Sequence, residues 1–177
     1  MKKLTLFSFL LLSISTTFVL SSCVKKDTTF TITLADQNLT SDPFIFDGKD
    51  KNLVVKQINS DITNLIKKNG GDPTKIKSVK LKSLKLVMTS AGQNFDKITY
   101  MSSWLLNSPA DTAGTKLAYK SPIVAGSTTI DFDNNYSELI NYFKTDAFYL
   151  KLVGYHTADL PTMTYKASMS VDVTIAP

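Results

Sequence analysis

Two hydrophobic periods run along this chain, and the shorter one dominates. From Thr28 to Leu34, Phe30, Ile32 and Leu34 fall on one side and Thr29, Thr31 and Thr33 on the other, the period of two that marks a half-buried strand. Tyr165 to Ile175 repeats it without a break through Ala167, Met169, Val171 and Val173. Ala147 to Tyr155 does the same with Phe148, Leu150 and Leu152. Lys77 to Met88 is a long strand whose phase flips midway, with Val79 and Leu81 on one face and Leu84, Leu86 and Met88 on the other. A β-bulge near Ser83 would restore a single face; the alternative is cover on each face in turn, for instance by a helix over the second half. Ile98 to Leu106 reads as strand from its Thr, Tyr and Trp content, although Phe95, Ile98, Met101 and Leu105 also form a helical stripe. Lys116 to Lys120 and Thr128 to Phe132 add two shorter strands.

The period lengthens in two places. From Asn52 to Asn69, Val54, Ile58, Ile62, Leu65 and Ile66 recur at three- and four-residue spacing with Lys and Asn between them, which predicts an amphipathic helix. Asn69-Gly70-Gly71-Asp72-Pro73 ends it with glycines able to take positive φ and a proline that cannot continue it. Asp133-Asn134-Asn135 then supplies cap residues for a short helix from Tyr136 to Lys144, striped by Tyr136, Leu139, Ile140 and Phe143. Ala35 to Lys51 reads as a polar loop around an apolar knot at Phe44-Ile45-Phe46, with further turns at Ala91–Asn94 and Ser108–Gly114. About seven strands with one or two short helices predict a mainly β fold, an antiparallel β-sandwich of immunoglobulin-like or jelly-roll type. The alternative is an α+β fold with the Asn52–Asn69 helix packed on an antiparallel sheet.

The chain opens with Met1-Lys2-Lys3, a short positive segment, followed by an apolar run from Leu4 to Leu20, the layout of a secretory signal. That run ends in Leu20-Ser21-Ser22-Cys23: an aliphatic residue, two small residues and a cysteine. The tetrad resembles the lipobox of bacterial lipoproteins. The resemblance implies diacylglyceryl transfer to the Cys23 sulfur, cleavage between Ser22 and Cys23, and an N-acyl chain such as palmitate on the new amino terminus. A membrane span needs about 20 predominantly apolar residues, so a slightly short transmembrane anchor is the competing reading. Cys23 is the only cysteine, so it has no intramolecular disulfide partner, and a free thiol is a liability in an oxidising compartment. As a thioether to lipid it becomes a tether, marginal with one acyl chain and stable with two or more, at about 0.8 kcal/mol per buried methylene. An aspartate after the lipidated cysteine retains such proteins in the inner membrane; here Val24 implies the outer membrane. Lys25-Lys26-Asp27 is similar to the charged segment that sends Bacteroidota lipoproteins to the cell surface, with one acidic residue where those segments usually carry more. A plain solvated linker is the alternative, so cell surface and periplasmic face both stay open. The expected organisation is a signal over residues 1–22, lipidated cysteine and tether over 23–29, and a single β-rich domain over 30–177.

Removing residues 1–22 from the 177 leaves 155, enough for one domain with a proper core. The formal charge of +5 falls to about +3 once Lys2 and Lys3 are gone, too mild and dispersed to suggest nucleic acid. Every basic residue is lysine and every acidic residue except Glu138 is aspartate. Without arginine there is no guanidinium fork for carboxylate or phosphate, which argues against a nucleotide or nucleic-acid site.

Catalytic and metal-binding signatures are sparse. His156, the only histidine, lies near Asp159, but no Gly-x-Ser-x-Gly elbow supports a hydrolytic triad, and an ordinary loop histidine is the expectation. Zinc wants three or four His, Cys or Asp ligands, which one histidine and a spent thiol do not supply. For calcium, Asp131-Phe132-Asp133-Asn134-Asn135 and Asp47-Gly48-Lys49-Asp50 bring oxygens together without the spacing of a calcium loop. A glycosidase carboxylate pair depends on the fold, and solvated aspartates are the simpler reading. No enzyme activity, metal or cofactor beyond the covalent lipid on Cys23 is expected. What remains is aromatic. Tyr100 and Trp104 share one strand face, and Tyr149, Val153 and Tyr155 lie opposite Phe148, Leu150 and Leu152. Facing outward, the tyrosines and Trp104 could stack on a sugar ring or a protein partner; covered by a helix, they would form a second core layer. The expected function is a non-catalytic binding or adhesion module on a lipid anchor, with a glycan or envelope protein as partner. A structural or accessory subunit of a cell-envelope complex is the alternative.

Overall fold

Strand pairing in this protein nests from the ends of the chain inward. The computed structural model describes residues 26–177, so the expected signal over 1–22, with Ser22 at its cleavage site, and Cys23, Val24 and Lys25 lie outside the described residues. The chain runs β1 (Thr28–Thr33), β2 (Gln37–Ser41), β3 (Lys51–Asn59), α1 (Ile62–Lys68), β4 (Ile76–Met88), β5 (Ile98–Leu106), β6 (Thr115–Lys120), β7 (Thr129–Asp131), β8 (Asp133–Asn134), β9 (Ala147–His156) and β10 (Met163–Ile175). A single 3₁₀ turn, Pro73–Lys75, precedes β4.

β1 and then β2 pair with one edge of β10, β3 with β9, β4 with β7, and β5 with β6, all antiparallel. Such a nested ribbon, rolled over on itself, brings β10 against β4 and β9 against β5. The result is two five-stranded sheets, β1/β2-β10-β4-β7 and β3-β9-β5-β6-β8. That order is the double Greek key of a jelly roll rather than the hairpin order of an immunoglobulin sandwich.

One contiguous core fills the space between the sheets. It takes Val79, Leu81, Leu84 and Leu86 from β4, the alternate residues Tyr165 to Ile175 of β10, Phe148, Leu150 and Leu152 of β9, and Ile98, Met101 and Leu105 of β5. Within it Phe95 stacks on Tyr165, centroids 6.0 Å apart and planes 7° from parallel. The phase flip of β4 is a bulge: Ser83 faces Ser170 and Leu81 faces Val171, which leaves Lys82 as the extra residue. Both halves of the strand therefore present their apolar residues to the same core.

Two predicted helices are corrected. The first part of Asn52–Asn69, through Asn59, belongs to β3, and only Ile62–Lys68 is helical. Val54 and Ile58 are four residues apart, which suits a strand face as well as a helix face. Lys56 takes the inward position between them at the sheet edge and extends its ammonium to the Asn38 carbonyl, 2.7 Å away. Asp61, left-handed at φ 49°, breaks the strand, and Asp146 caps α1 from outside by accepting from Thr63 N–H at 3.0 Å. The predicted Tyr136–Lys144 helix is instead a series of turns after β8. Glu138 decides that: its carboxylate accepts from Ser78 Oγ and from the N–H groups of Val79, Leu139 and Ile140, at 2.5–3.2 Å, and holds the segment against β4 as an irregular strap. The loop expected from Ala35 to Lys51 contains β2, and the expected tether over 23–29 gives up Thr28 and Thr29 to β1.

The two ends of the sandwich differ. At one, Thr28 pairs with Ile175, and a Cβ on Gly71 would meet Ile175, Ile66 and Phe30 at 2.6, 3.0 and 3.2 Å, so chain start, chain end and α1 pack together. At the other, four loops meet: Phe44 bridges Leu160, Phe46 N–H donates to Asp159 Oδ1 at 2.8 Å, and Phe95 N–H donates to the Ser127 carbonyl at 2.9 Å. The first described residues thus enter at the end opposite this loop cluster.

Candidate ligand-binding face

The outer faces of the two sheets carry different chemistry. On β1, β10 and β4 the outward residues are Thr, Ser, Lys and Asp, engaged with one another: Thr29 with Thr174 at 2.9 Å, Thr31 Oγ1 donating to Asp172 at 2.6 Å, Ser83 with Ser170 at 2.6 Å. A depression of about 420 Å³ beside Ser78, Lys80, Lys82 and Asp172 is shaped by these hydroxyls and charges, with Tyr136 its sole aromatic.

The outer face of β3-β9-β5-β6 is aromatic. Antiparallel register lays its side chains in rows across the strands. Asn52, Val153, Ser102 and Tyr119 form one row; Val55, Lys151, Trp104 and Lys116 form the next; Tyr155 and Tyr100 lie on the other side of the first. Extra residues at Leu53 and Leu117 keep the rows in step. Ser102, small and 7% exposed, makes the floor between Tyr100 and Trp104. The result is an open cleft of about 370 Å³ whose lining includes Asp50, Asn52, Tyr100, Trp104, Lys116 and Tyr119. Tyr100 and Trp104, four residues apart on one strand, are separated by about 13 Å along it.

Hydrogen bonds and charges fix these side chains. Trp104 Nε1 donates to Ser102 Oγ at 3.0 Å, which orients the indole over the floor. The ammonium of Lys151 lies over the Trp104 ring, 5.4 Å from its centroid, and that of Lys116 over Tyr119 at 5.0 Å. Tyr100 stacks against Tyr155, 6.3 Å between centroids and 9° from parallel. Hydrogen bonding toward the Asp50 carboxylate, then desolvation and the charges nearby, pushes the Tyr100 hydroxyl up to about 12. It therefore stays a neutral donor at physiological pH.

Of the sequence-predicted contact residues, Tyr100, Trp104 and Tyr155 come together. Tyr149 lies beyond the Trp104 row, opposite Gln57 and Leu106, with its hydroxyl 3.5 Å from Gln57 Oε1. The outward tyrosines on β9 and β5 are half-buried by their neighbours, and α1 packs at the sandwich end rather than across them. Sequence reasoning missed Tyr119, Lys116, Lys151, Asn52 and Asp50. Lys151 was legible in the outward series Tyr149, Lys151, Val153, Tyr155; Tyr119 was not, because the bulge at Leu117 breaks the alternation of β6.

The other candidates separate. His156 is 1% exposed, its Nδ1 lies 2.8 Å from the Ala158 carbonyl, and its ring packs against Phe44 and Phe46. It is a core residue at the end of β9 rather than a loop residue, and the Asp159 carboxylate accepts from Phe46 N–H. Among the calcium candidates, Asp47 pairs with Lys51 at 2.6 Å and Asp133 with Lys120 at 3.3 Å. Asn134 donates to the Leu81 carbonyl and accepts from Tyr136 N–H, and Asn135 Nδ2 donates to the Lys116 carbonyl at 3.1 Å. No group of three or more His, Cys, Asp or Glu side chains converges among the described residues, and no helix among them is long and apolar enough to cross a membrane.

No protein family and no curated protein matches the sequence. Solved structures similar over 85% of the chain include the VP2 subviral particle of infectious bursal disease virus, at 16% identity and a TM-score of 0.35, and the Gx strain of the same virus, at 19% and 0.33. The chain spans about a third of those proteins, 33% and 32%. Neither fold nor function is taken from likenesses this slight; the jelly-roll order stands on the strand pairing.

Proposed function

We propose that this protein is a lipid-anchored, non-catalytic module of the bacterial outer membrane that binds glycans on the outer face of β3-β9-β5-β6. The carrying observation is the cleft in which Tyr100, Trp104 and Tyr119 stand on one sheet face with Asp50, Asn52, Lys116 and Lys151 around them. Aromatic rings stack on the apolar faces of sugars, and neighbouring polar groups meet the hydroxyls. Among the described residues the other outer face has no such set. The anchor rests on the Leu20-Ser21-Ser22-Cys23 resemblance, and the entry of the chain at the α1 end leaves the four-loop end pointing away from a membrane tethered there.

The test is affinity electrophoresis of the full-length protein, extracted in mild non-ionic detergent, through gels containing soluble polysaccharides of several classes. Retardation that is lost in Trp104→Ala, with near-UV circular dichroism otherwise native outside the tryptophan band, supports the reading. Migration unchanged in every polysaccharide overturns it.

One observation favours the alternative of an accessory subunit in an envelope complex. Ile45, Phe46 and Val124 are 80%, 43% and 71% exposed, and all belong to loops at the end opposite Thr28. Such a subunit would co-purify with a larger assembly through these residues, and Ile45→Ser/Val124→Ser would release it.

A further inference from the structure

We infer that the glycan is acidic: a polysaccharide bearing carboxylate or sulfate groups, held with its acid beside Trp104. This rests on the reading of the cleft as a glycan site and names the substrate class.

The argument begins with register. Trp104 faces Lys151 on β9 and Lys116 on β6, so one row across three strands reads lysine, tryptophan, lysine. Directly opposite residues place their Cβ atoms about 5 Å apart, which brings both lysines alongside one tryptophan, the Lys151 ammonium over the indole and that of Lys116 over neighbouring Tyr119. Neither lysine takes part in an ion pair among the described residues, although Lys51, Lys77, Lys82, Lys120 and Lys166 each pair with an aspartate elsewhere. Their ammoniums lie over Trp104 and Tyr119 instead, contacts of about 0.5–1 kcal/mol at exposed sites that a carboxylate or sulfate can outbid with a charge-assisted hydrogen bond. Aromatic rings thus hold the two lysines over the cleft, ready to turn toward an anion.

The opposite end of the cleft has the opposite sign. Asp50 lies by Tyr100, with Asn52 on β3 beside it; the Asp50 carboxylate accepts from sugar hydroxyls, and the Asn52 amide both donates and accepts. An extended acidic chain therefore has one favoured polarity: hydroxyl-bearing units toward Asp50, an acid-bearing unit between Lys116 and Lys151. A neutral glycan would leave both lysines unanswered. Single compact ammonium groups without an arginine fork suit monodentate pairing with scattered acid groups along a polymer.

The experiment is the same affinity electrophoresis of the full-length protein, at low salt, with four additives: polygalacturonate, dextran sulfate, neutral dextran and poly-glutamate. The expected result is strong retardation by polygalacturonate or dextran sulfate, weak retardation by dextran, and affinity about tenfold lower in Lys116→Gln/Lys151→Gln, with the loss shrinking at high salt. Preference between the two acidic polymers tells carboxylate from sulfate. Equal retardation by dextran, unaffected by the double substitution, overturns the acidic inference and leaves the glycan reading standing. No retardation by any additive overturns both. Poly-glutamate binding as tightly as the polysaccharides, with Trp104→Ala silent, overturns the inference in favour of an acidic protein partner. A matching melting temperature for Lys116→Gln/Lys151→Gln separates loss of binding from loss of fold.

Discussion

Trp104 on β5 lies directly opposite Lys151 on β9, with the ammonium over the indole 5.4 Å from its centroid. Since Trp104 is the only tryptophan in the chain, its fluorescence reports the cleft and nothing else. The Lys151 ammonium over a half-buried indole, with Lys116 opposite in the same row, concentrates anions there. Iodide is therefore expected to quench the emission more strongly than caesium at low ionic strength, and the asymmetry should vanish in Lys116→Gln/Lys151→Gln or in high salt. Equal quenching by both ions in the unaltered protein would mean that the lysines do not set the local field.

Glu138, the one glutamate in the chain, ties the 135–143 strap to β4. Burial opposes its charge, but the Ser78 hydroxyl and the N–H groups of Val79, Ile140 and Leu139 outweigh it and hold the carboxyl below the ordinary glutamate value. A carboxyl lowered in the folded state stabilises the protein above its unfolded value and loses that contribution as pH falls through the folded one. Glu138→Ala should therefore cost about 1 kcal/mol at neutral pH, small because solvent reaches the carboxylate, and the difference from the unaltered protein should shrink on acidification below pH ~4. Urea midpoints measured across that range give the answer.

Tyr165 makes the matching prediction at the alkaline end. It is 1% exposed, and burial pushes its hydroxyl up to about 12, with the nearby Ser41 acting the other way. A phenol raised above its unfolded value near 10 stabilises fully below that pH and loses the contribution as pH climbs toward the folded value. Thermal stability should fall between about pH 10 and 12, and Tyr165→Phe should flatten that slope. A slope unchanged in Tyr165→Phe would assign alkaline unfolding to other groups.

Strands whose alternation survives in both neighbours were readable from residues alone: β9, β10 and the Tyr100–Trp104 face of β5 all follow their hydrophobic period. Failures came where one side chain answered to a distant partner. Lys56 occupies an inward position because Asn38 offers a carbonyl, and Glu138 cancels a helix because β4 offers two donors. Neither partner is near in sequence. The cleft was half legible for the same reason. Tyr100, Trp104 and Tyr155 declare themselves by period, whereas Tyr119, Lys116 and Asp50 join only when the ribbon rolls and β6 and β3 come to flank β5 and β9.

The lipid anchor proposed at Cys23 would join the cleft to its setting. Asp27 pairs with Lys77 at 2.6 Å, so the chain is already fastened to the α1 end of the sandwich four residues after Cys23. A lipid on Cys23 would then hold that end close to the bilayer, with the loops around Phe46 and Val124 farthest from it. In a producing bacterium, Cys23→Ser should abolish labelling with a clickable fatty acid and move the protein out of the membrane fraction, because one thioether-linked diacylglycerol and an N-acyl chain supply the whole attachment. Unchanged labelling would refute lipidation at this residue. Binding to polysaccharide gels should be the same for the released protein as for the anchored one, since the Trp104 row is built from β3, β9, β5 and β6 alone. Protease shaving of intact cells then assigns the face of the membrane: digestion of the domain while a periplasmic control survives means display at the surface, where a polymer outside the cell is the ligand, and protection of both means a ligand within the envelope.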